Sequence, residues 1–144
     1  MKYLRIAICL LSSVQLAGCT SIAMKGELGT INSKVNQYAY IGEEVDTWKT
    51  PEDFYADGGG DCEDFAIAKY VLVDSKYTRE IMVVWDVPRE KYHAVLLVQG
   101  YWILDNIKKD VYKITDAYFN RNNIVIYRTK QITKPDEVTC CNWY

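Results

Sequence analysis

Apolar residues recur at helical spacing at Ile31, Val35 and Tyr38, which predicts a first helix from about Glu27 to Tyr40. A second helix start follows at Thr50. There Thr as N-cap, Pro51 in the first position and Asp53 closing a capping box predict a short helix to about Tyr55. The stretch Asp57 to Asp61 holds Gly58, Gly59 and Gly60, which tolerate positive φ and give nothing to pack, so it reads as irregular loop. Beyond it Phe65, Ala66, Lys69, Tyr70 and Val73 form a stripe that predicts a helix from Cys62 to about Asp74. The pattern then changes to short β-rich runs at Ile81 to Val87, His93 to Val98, Tyr101 to Asp105 and Ile124 to Thr129. Helices first and strands later predict an α+β domain with helices packed on an antiparallel sheet.

The first residues follow a different pattern. Lys2 and Arg5 precede an apolar run, Ile6 to Leu11, too short to span a bilayer and typical of a signal peptide. Leu16, Ala17, Gly18 and Cys19 resemble the lipobox of bacterial lipoproteins, so residues 1–18 are expected to be removed and Cys19 to carry lipid. Thr20 after the Cys, where an Asp is absent, resembles lipoproteins sent to the outer membrane, facing the periplasm. Small and polar residues with Gly26 and Gly29 then suggest a tether over 19–29, followed by one domain over 30–130 and a tail over 131–144.

Composition narrows the classes. The 144 residues suit one domain, and 49% hydrophobic with 25% charged residues fits a globular chain rather than a disordered or multi-span one. A formal charge of −2, a single His and no basic run argue against nucleic acid as partner. Of five cysteines, Cys9 leaves with the signal and Cys19 takes lipid, so Cys62, Cys140 and Cys141 remain. Three thiols make no disulfide framework, and in an oxidising compartment they point to a reactive thiol or an intermolecular link.

Cys62 is the candidate nucleophile. A Cys opening a helix gains from the macrodipole and unpaired N–H groups, and the glycines before it let a substrate backbone approach. The bland alternative is a small buried Cys at a helix start. His93 is the only His in the chain, so a general base of the usual kind must be this residue. A three-residue loop of Val98, Gln99 and Gly100, with Gly100 left-handed, pairs His93 with Asp105, Val95 with Ile103 and Leu97 with Tyr101. A two-residue loop instead puts His93 and Asp105 on opposite faces. In the first register Asp105 fixes the imidazole tautomer and completes a Cys, His, Asp triad. Taken alone, Asp105 is equally a strand-end residue capping the turn at Asn106.

The string Gly59 to Tyr70, GGDCEDFAIAKY, with HAVLLV from His93 and ILDN from Ile103, resembles the bacterial transglutaminase-like cysteine proteinases from about Ile31 to Tyr127. The resemblance implies a papain-like or transglutaminase-like fold, with Cys62, His93 and Asp105 as the triad. It also implies calcium-dependent proteolysis in the periplasm, releasing biofilm adhesins, with Asp61 and Glu63 matching the acidic residues that hold the ion. Two carboxylates are only part of the six to eight oxygens Ca²⁺ takes, and they also favour the helix start by roughly 0.3 to 1 kcal/mol each. Asp64 reads as a solvated or helix-start charge. The expected function is therefore a cysteine peptidase of the cell envelope acting on an envelope or surface protein, a surface adhesin among the candidates. The alternatives are acyl transfer to an amine or amide cleavage with the same triad, and a lipoprotein binding module without turnover. The chain departs from the family in its short length, its lipobox and a tail ending in Cys140, Cys141, Asn142, Trp143 and Tyr144.

Overall fold

The computed structural model describes residues 20–42, 47–115 and 124–130, the last as backbone. Helix α1 covers residues 20–35 and takes in 20–28, the stretch expected as a tether. The reason lies in packing: Leu28, Asn32 and Val35 are fully buried and repeat at helical spacing, while Gly26 and Gly29 face open space and cost only helix propensity. The helix stops short of Tyr40. Ala39–Tyr40 instead forms strand β1, parallel to β2 at Gly59–Gly60, so the glycine stretch is not irregular throughout.

Helix α2, Pro51–Ala56, starts as the sequence predicts, with Thr50 Oγ1 accepting from Asp53 N at 3.2 Å. Helix α3, Cys62–Leu72, follows directly on β2. The sheet consists of β3 (Arg79–Asp86), β4 (Lys91–Val98), β5 (Trp102–Leu104), β6 (Tyr112–Lys113) and β7 (Ile124–Lys130). Its order is β6-β5-β4-β3-β7 with every neighbouring pair antiparallel. Strand β6 carries no sequence signal, since two residues cannot show alternation.

Helices α1 and α3 cover one face of the sheet. Leu28, Ile67 and Tyr70 pack there on Ile81, Leu96, Val98 and Leu104, while Met82, Val84, Val95, Leu97 and Ile103 form a separate cluster on the other face. Behind α3, Phe65 and Ala68 pack on Val35 of α1 and Phe54 of α2. Helix α3 is thus buried along residues 63–70.

The β4–β5 turn differs from the expected register. Gln99 and Gly100 are both left-handed, at φ 55° and 62°, and pairing resumes at Val98 with Trp102, Leu97 with Ile103 and Leu96 with Leu104. The loop is therefore Gln99 to Tyr101, one residue later than expected, which shifts the partner of every β4 residue by two. A shift of two preserves the face of each side chain. His93 and Asp105 stay on one side, diagonal rather than directly opposite.

Candidate active site

Two glycines bring β2 against the start of α3. A Cβ on Gly59, whose φ is 151°, would lie 1.9 Å from the Ala39 carbonyl oxygen, and one on Gly60 would lie 2.2 Å from Asp64 Oδ2. Only glycine permits β1 and the helix cap to approach so closely. Asp64 then accepts from Asp61 N at 3.2 Å and from Lys49 N at 2.7 Å, and it is 1% exposed. Of the two readings of Asp64, solvated charge or helix-start charge, the structure has the second: it is a buried part of the capping box at the start of α3.

Cys62 is the first residue of that helix and is half-buried. Strand β5 pairs with β4 only at Leu96 to Val98, so Ala94 lies in a part of β4 that β5 does not reach. There the Ala94 N–H donates to Cys62 Sγ at 3.4 Å. The thiol itself donates to Glu63 Oε2 at 3.0 Å. Burial pushes the Cys62 thiol well up, Glu63 adds to this by charge and hydrogen bond, the Ala94 N–H opposes it, and Asp61 raises it further.

His93, 7% exposed, meets Asp105 through Nε2 and Oδ1 at 2.9 Å. With Asp105 ionised, Nε2 carries the proton and donates it to that bond, which leaves Nδ1 for another partner. Asp105 Oδ1 also accepts from Ile107 N at 2.9 Å, and Oδ2 accepts from the Tyr112 hydroxyl at 3.0 Å. Burial alone would raise this carboxyl. The bonds from His93, Ile107 and Tyr112 outweigh it and hold Asp105 below the usual carboxylate range.

The loop carrying Asp105 is tied to α1 by two amides. Asn36 Nδ2 donates to Asp105 O at 2.9 Å and Lys108 O at 3.1 Å, and Asn32 Nδ2 donates to Lys108 O and Lys109 O at 2.9 and 3.0 Å. Neither Asn32, Asn36 nor Tyr112 stands out in the sequence. The i, i+4 spacing of Asn32 with Asn36, the residue just after α1, is the one available signal, and it becomes informative only once their side is known to be buried.

Cys62 and His93 line one cleft of about 370 Å³, walled by Tyr40, Tyr92 and Ile107 with Lys91 at its edge. Asp61 and Glu63 flank Cys62, and both act on the Tyr40 hydroxyl, whose pKa is raised by burial first, then by Cys62, Asp61 and Glu63. Among the described residues no group of three or more His, Cys, Asp or Glu is arranged to hold a metal. The structure thus brings Cys62, His93, Asp105, Asp61 and Glu63 together, while Cys19, Cys140 and Cys141 lie outside the described residues.

Comparison with known proteins gives two results. Residues 12–125 match the family described as bacterial transglutaminase-like cysteine proteinase BTLCP. Among solved structures, Legionella pneumophila LapG matches at 29% identity and a TM-score of 0.64, over 75% of this chain and 65% of LapG. Its calcium-bound form matches at 30% identity with TM-score 0.64, over 74% and 65% of the two chains, and its EGTA-treated form at 30% and 0.64, over 74% and 63%. The chain thus spans somewhat less than two thirds of LapG. No curated protein matches. The mixed helical and antiparallel architecture is of the transglutaminase-like kind.

Proposed function

The chain belongs to the bacterial transglutaminase-like cysteine proteinase family, and from that premise we propose that it is a cysteine peptidase whose nucleophile, base and orienting carboxylate are Cys62, His93 and Asp105. The observation that carries the reading is the 2.9 Å bond from His93 Nε2 to Asp105, which frees Nδ1 on a ring that shares its cleft with Cys62. Nδ1 takes the proton from Sγ, and the thiolate attacks the scissile carbonyl carbon. The Cys62 N–H at the helix start stabilises the oxyanion. His93 then returns the proton to the departing amine, leaving an acyl-enzyme thioester that water hydrolyses with the same imidazole as base. Iodoacetamide labelling tests the reading without a substrate: Cys62 should react rapidly at neutral pH and slowly in His93→Ala. Equal rates in the two proteins would remove His93 from the mechanism.

Calcium belongs to the same proposal, supported by the calcium-bound and EGTA-treated forms of LapG. Asp61 and Glu63 fit it as two hard oxygen donors that flank Cys62 in the chain, with backbone carbonyls and water supplying the rest of its coordination. When bound, the ion supplies positive charge beside two carboxylates that otherwise favour the protonated thiol. Removing calcium with EGTA should slow Cys62 alkylation roughly tenfold, the effect of about one unit in thiol pKa. Asp61→Ala should abolish the response to added calcium. An unchanged rate in EGTA and a normal Asp61→Ala response would exclude the ion from this site.

The setting is proposed as the cell envelope, with lipid on Cys19 as membrane anchor and an envelope or surface protein, such as an adhesin, as substrate. The lipobox resemblance at Leu16 to Cys19 supports it. Mass spectrometry of the mature protein should find Cys19 as a lipid-modified first residue; an unmodified N-terminus elsewhere would overturn the anchor.

A further inference from the structure

The cleft that holds Cys62 and His93 is walled by charge of one sign. Among the described residues its lining includes two cations, Arg89 and Lys91, and no carboxylate. The other walls are Tyr40, Tyr92, Ile107 and the neutral Asn106. The Tyr92 ring packs edge-on against Trp85 with centroids 4.9 Å apart, which anchors that wall. Asp61 and Glu63 flank Cys62 in the chain but do not line the cleft, so the charges a bound segment meets on its wall are both positive. The mechanism above uses neither of them.

The connection between β3 and β4 places both cations. Arg89 ends the single 3-10 turn Val87–Arg89, and its Nη1 donates to Asp86 Oδ2 at 3.0 Å. That bond occupies one guanidinium nitrogen and leaves the others without a partner among the described residues. Glu90 follows in the left-handed region at φ 51° and does not line the cleft. Lys91 then opens β4, exposed and with no ion-pair partner among the described residues. Strand alternation puts the side chains of Lys91 and His93 on the same side of β4, roughly 7 Å apart. That spacing is about the length of two residues of extended peptide.

We propose that Arg89 and Lys91 form a subsite for an acidic side chain, so that the enzyme prefers a substrate with Asp or Glu about two residues from the bond it cuts. With the scissile carbonyl at Cys62, beside the His93 ring, the side chain of a residue that far along reaches the Lys91 ammonium. Its carboxylate pairs there with Lys91 and takes the unused guanidinium donors of Arg89. Both cations are exposed, so the pair is worth a preference of about threefold and not an absolute requirement. The inference names a substrate class for the Cys62, His93, Asp105 site and rests on that reading.

The test digests a chymotryptic peptide mixture from whole-cell protein with the full chain, in the presence of calcium, and reads the new cleavage sites by mass spectrometry. Sites that also appear with Cys62→Ala are discarded. The wild type should cut sites carrying Asp or Glu within three residues of the bond about threefold more often than the mixture contains them. Lys91→Gln should lower that enrichment towards the background, and Lys91→Glu should favour Lys or Arg in its place. Enrichment is read among the sites cut, so a change in total turnover does not disturb it. Sites with no acidic enrichment in the wild type, or an enrichment undiminished in Lys91→Gln, would overturn the subsite while leaving the peptidase reading intact. A wild type that cuts nothing beyond Cys62→Ala would remove the peptidase reading, and the subsite with it.

Discussion

Cys62→Ala should abolish peptide hydrolysis, and His93→Ala should lower kcat/KM by about 10³-fold or more, because each removes an atom that forms or breaks a bond. Asp105→Asn should be milder than His93→Ala, for a reason visible in its partners. An Asn at 105 can turn its Oδ1 to His93 Nε2–H and Ile107 N–H, both of which need an acceptor there. Its NH₂ then donates to the Tyr112 hydroxyl oxygen, in place of the bond that Oδ2 accepts in the wild type. Orientation of the imidazole survives and only the charge is lost. Steady-state kinetics on one peptide substrate measure all three; a Cys62→Ala protein that still cleaves through its own active site, or an Asp105→Asn loss equal to that of His93→Ala, would contradict this division of roles.

Most of this arrangement was legible from residue types because its parts are local. Thr50 and Pro51 announce α2, and Cys62 stands where a glycine loop meets an apolar helical stripe. His93 is unique, and Asp105 follows from the parity of an odd loop. What escaped is non-local. The register of β4 on β5 depends on whether the turn begins at Val98 or Gln99, and both contain a left-handed Gly100, so local chemistry cannot choose between them. Alternation survives the two-residue error, which is why the His93–Asp105 contact was found through a wrong pairing. The burial of Asp64 escaped for a related reason. Its burial comes from Gly60 passing within contact of its carboxyl, and nothing in the helix pattern foretells which strand will lie there.

Lys69 shows the same limit most sharply, since the helical stripe it shares with Phe65, Ala66, Tyr70 and Val73 does not foretell that its amine is fully buried. Its burial predicts a stability effect of unusual size. An unfolded lysine titrates near its ordinary 10.5, whereas burial lowers the folded amine to about 7. Between those values the unfolded chain binds the proton and the folded one does not, so stability rises with pH by up to about 1.4 kcal/mol per unit. Below about 7 both states are protonated, and the full penalty persists. Asp105, held below the carboxylate range, gains its contribution at more acid pH and does not enter this window. Cys62 does so only above its ordinary value of 9.0, where the folded thiol keeps a proton that the unfolded one loses, and stability falls again. Urea unfolding from about pH 6 to about pH 8.5 should therefore show the wild type gaining stability. Lys69→Met should remove that slope and be more stable at the acid end by about 2 to 4 kcal/mol, because an apolar stem of similar length replaces a charge without a hydrogen-bond partner. Parallel pH dependences for the two proteins would mean that the amine keeps its ordinary affinity for the proton, and its stability cost would have to be abandoned.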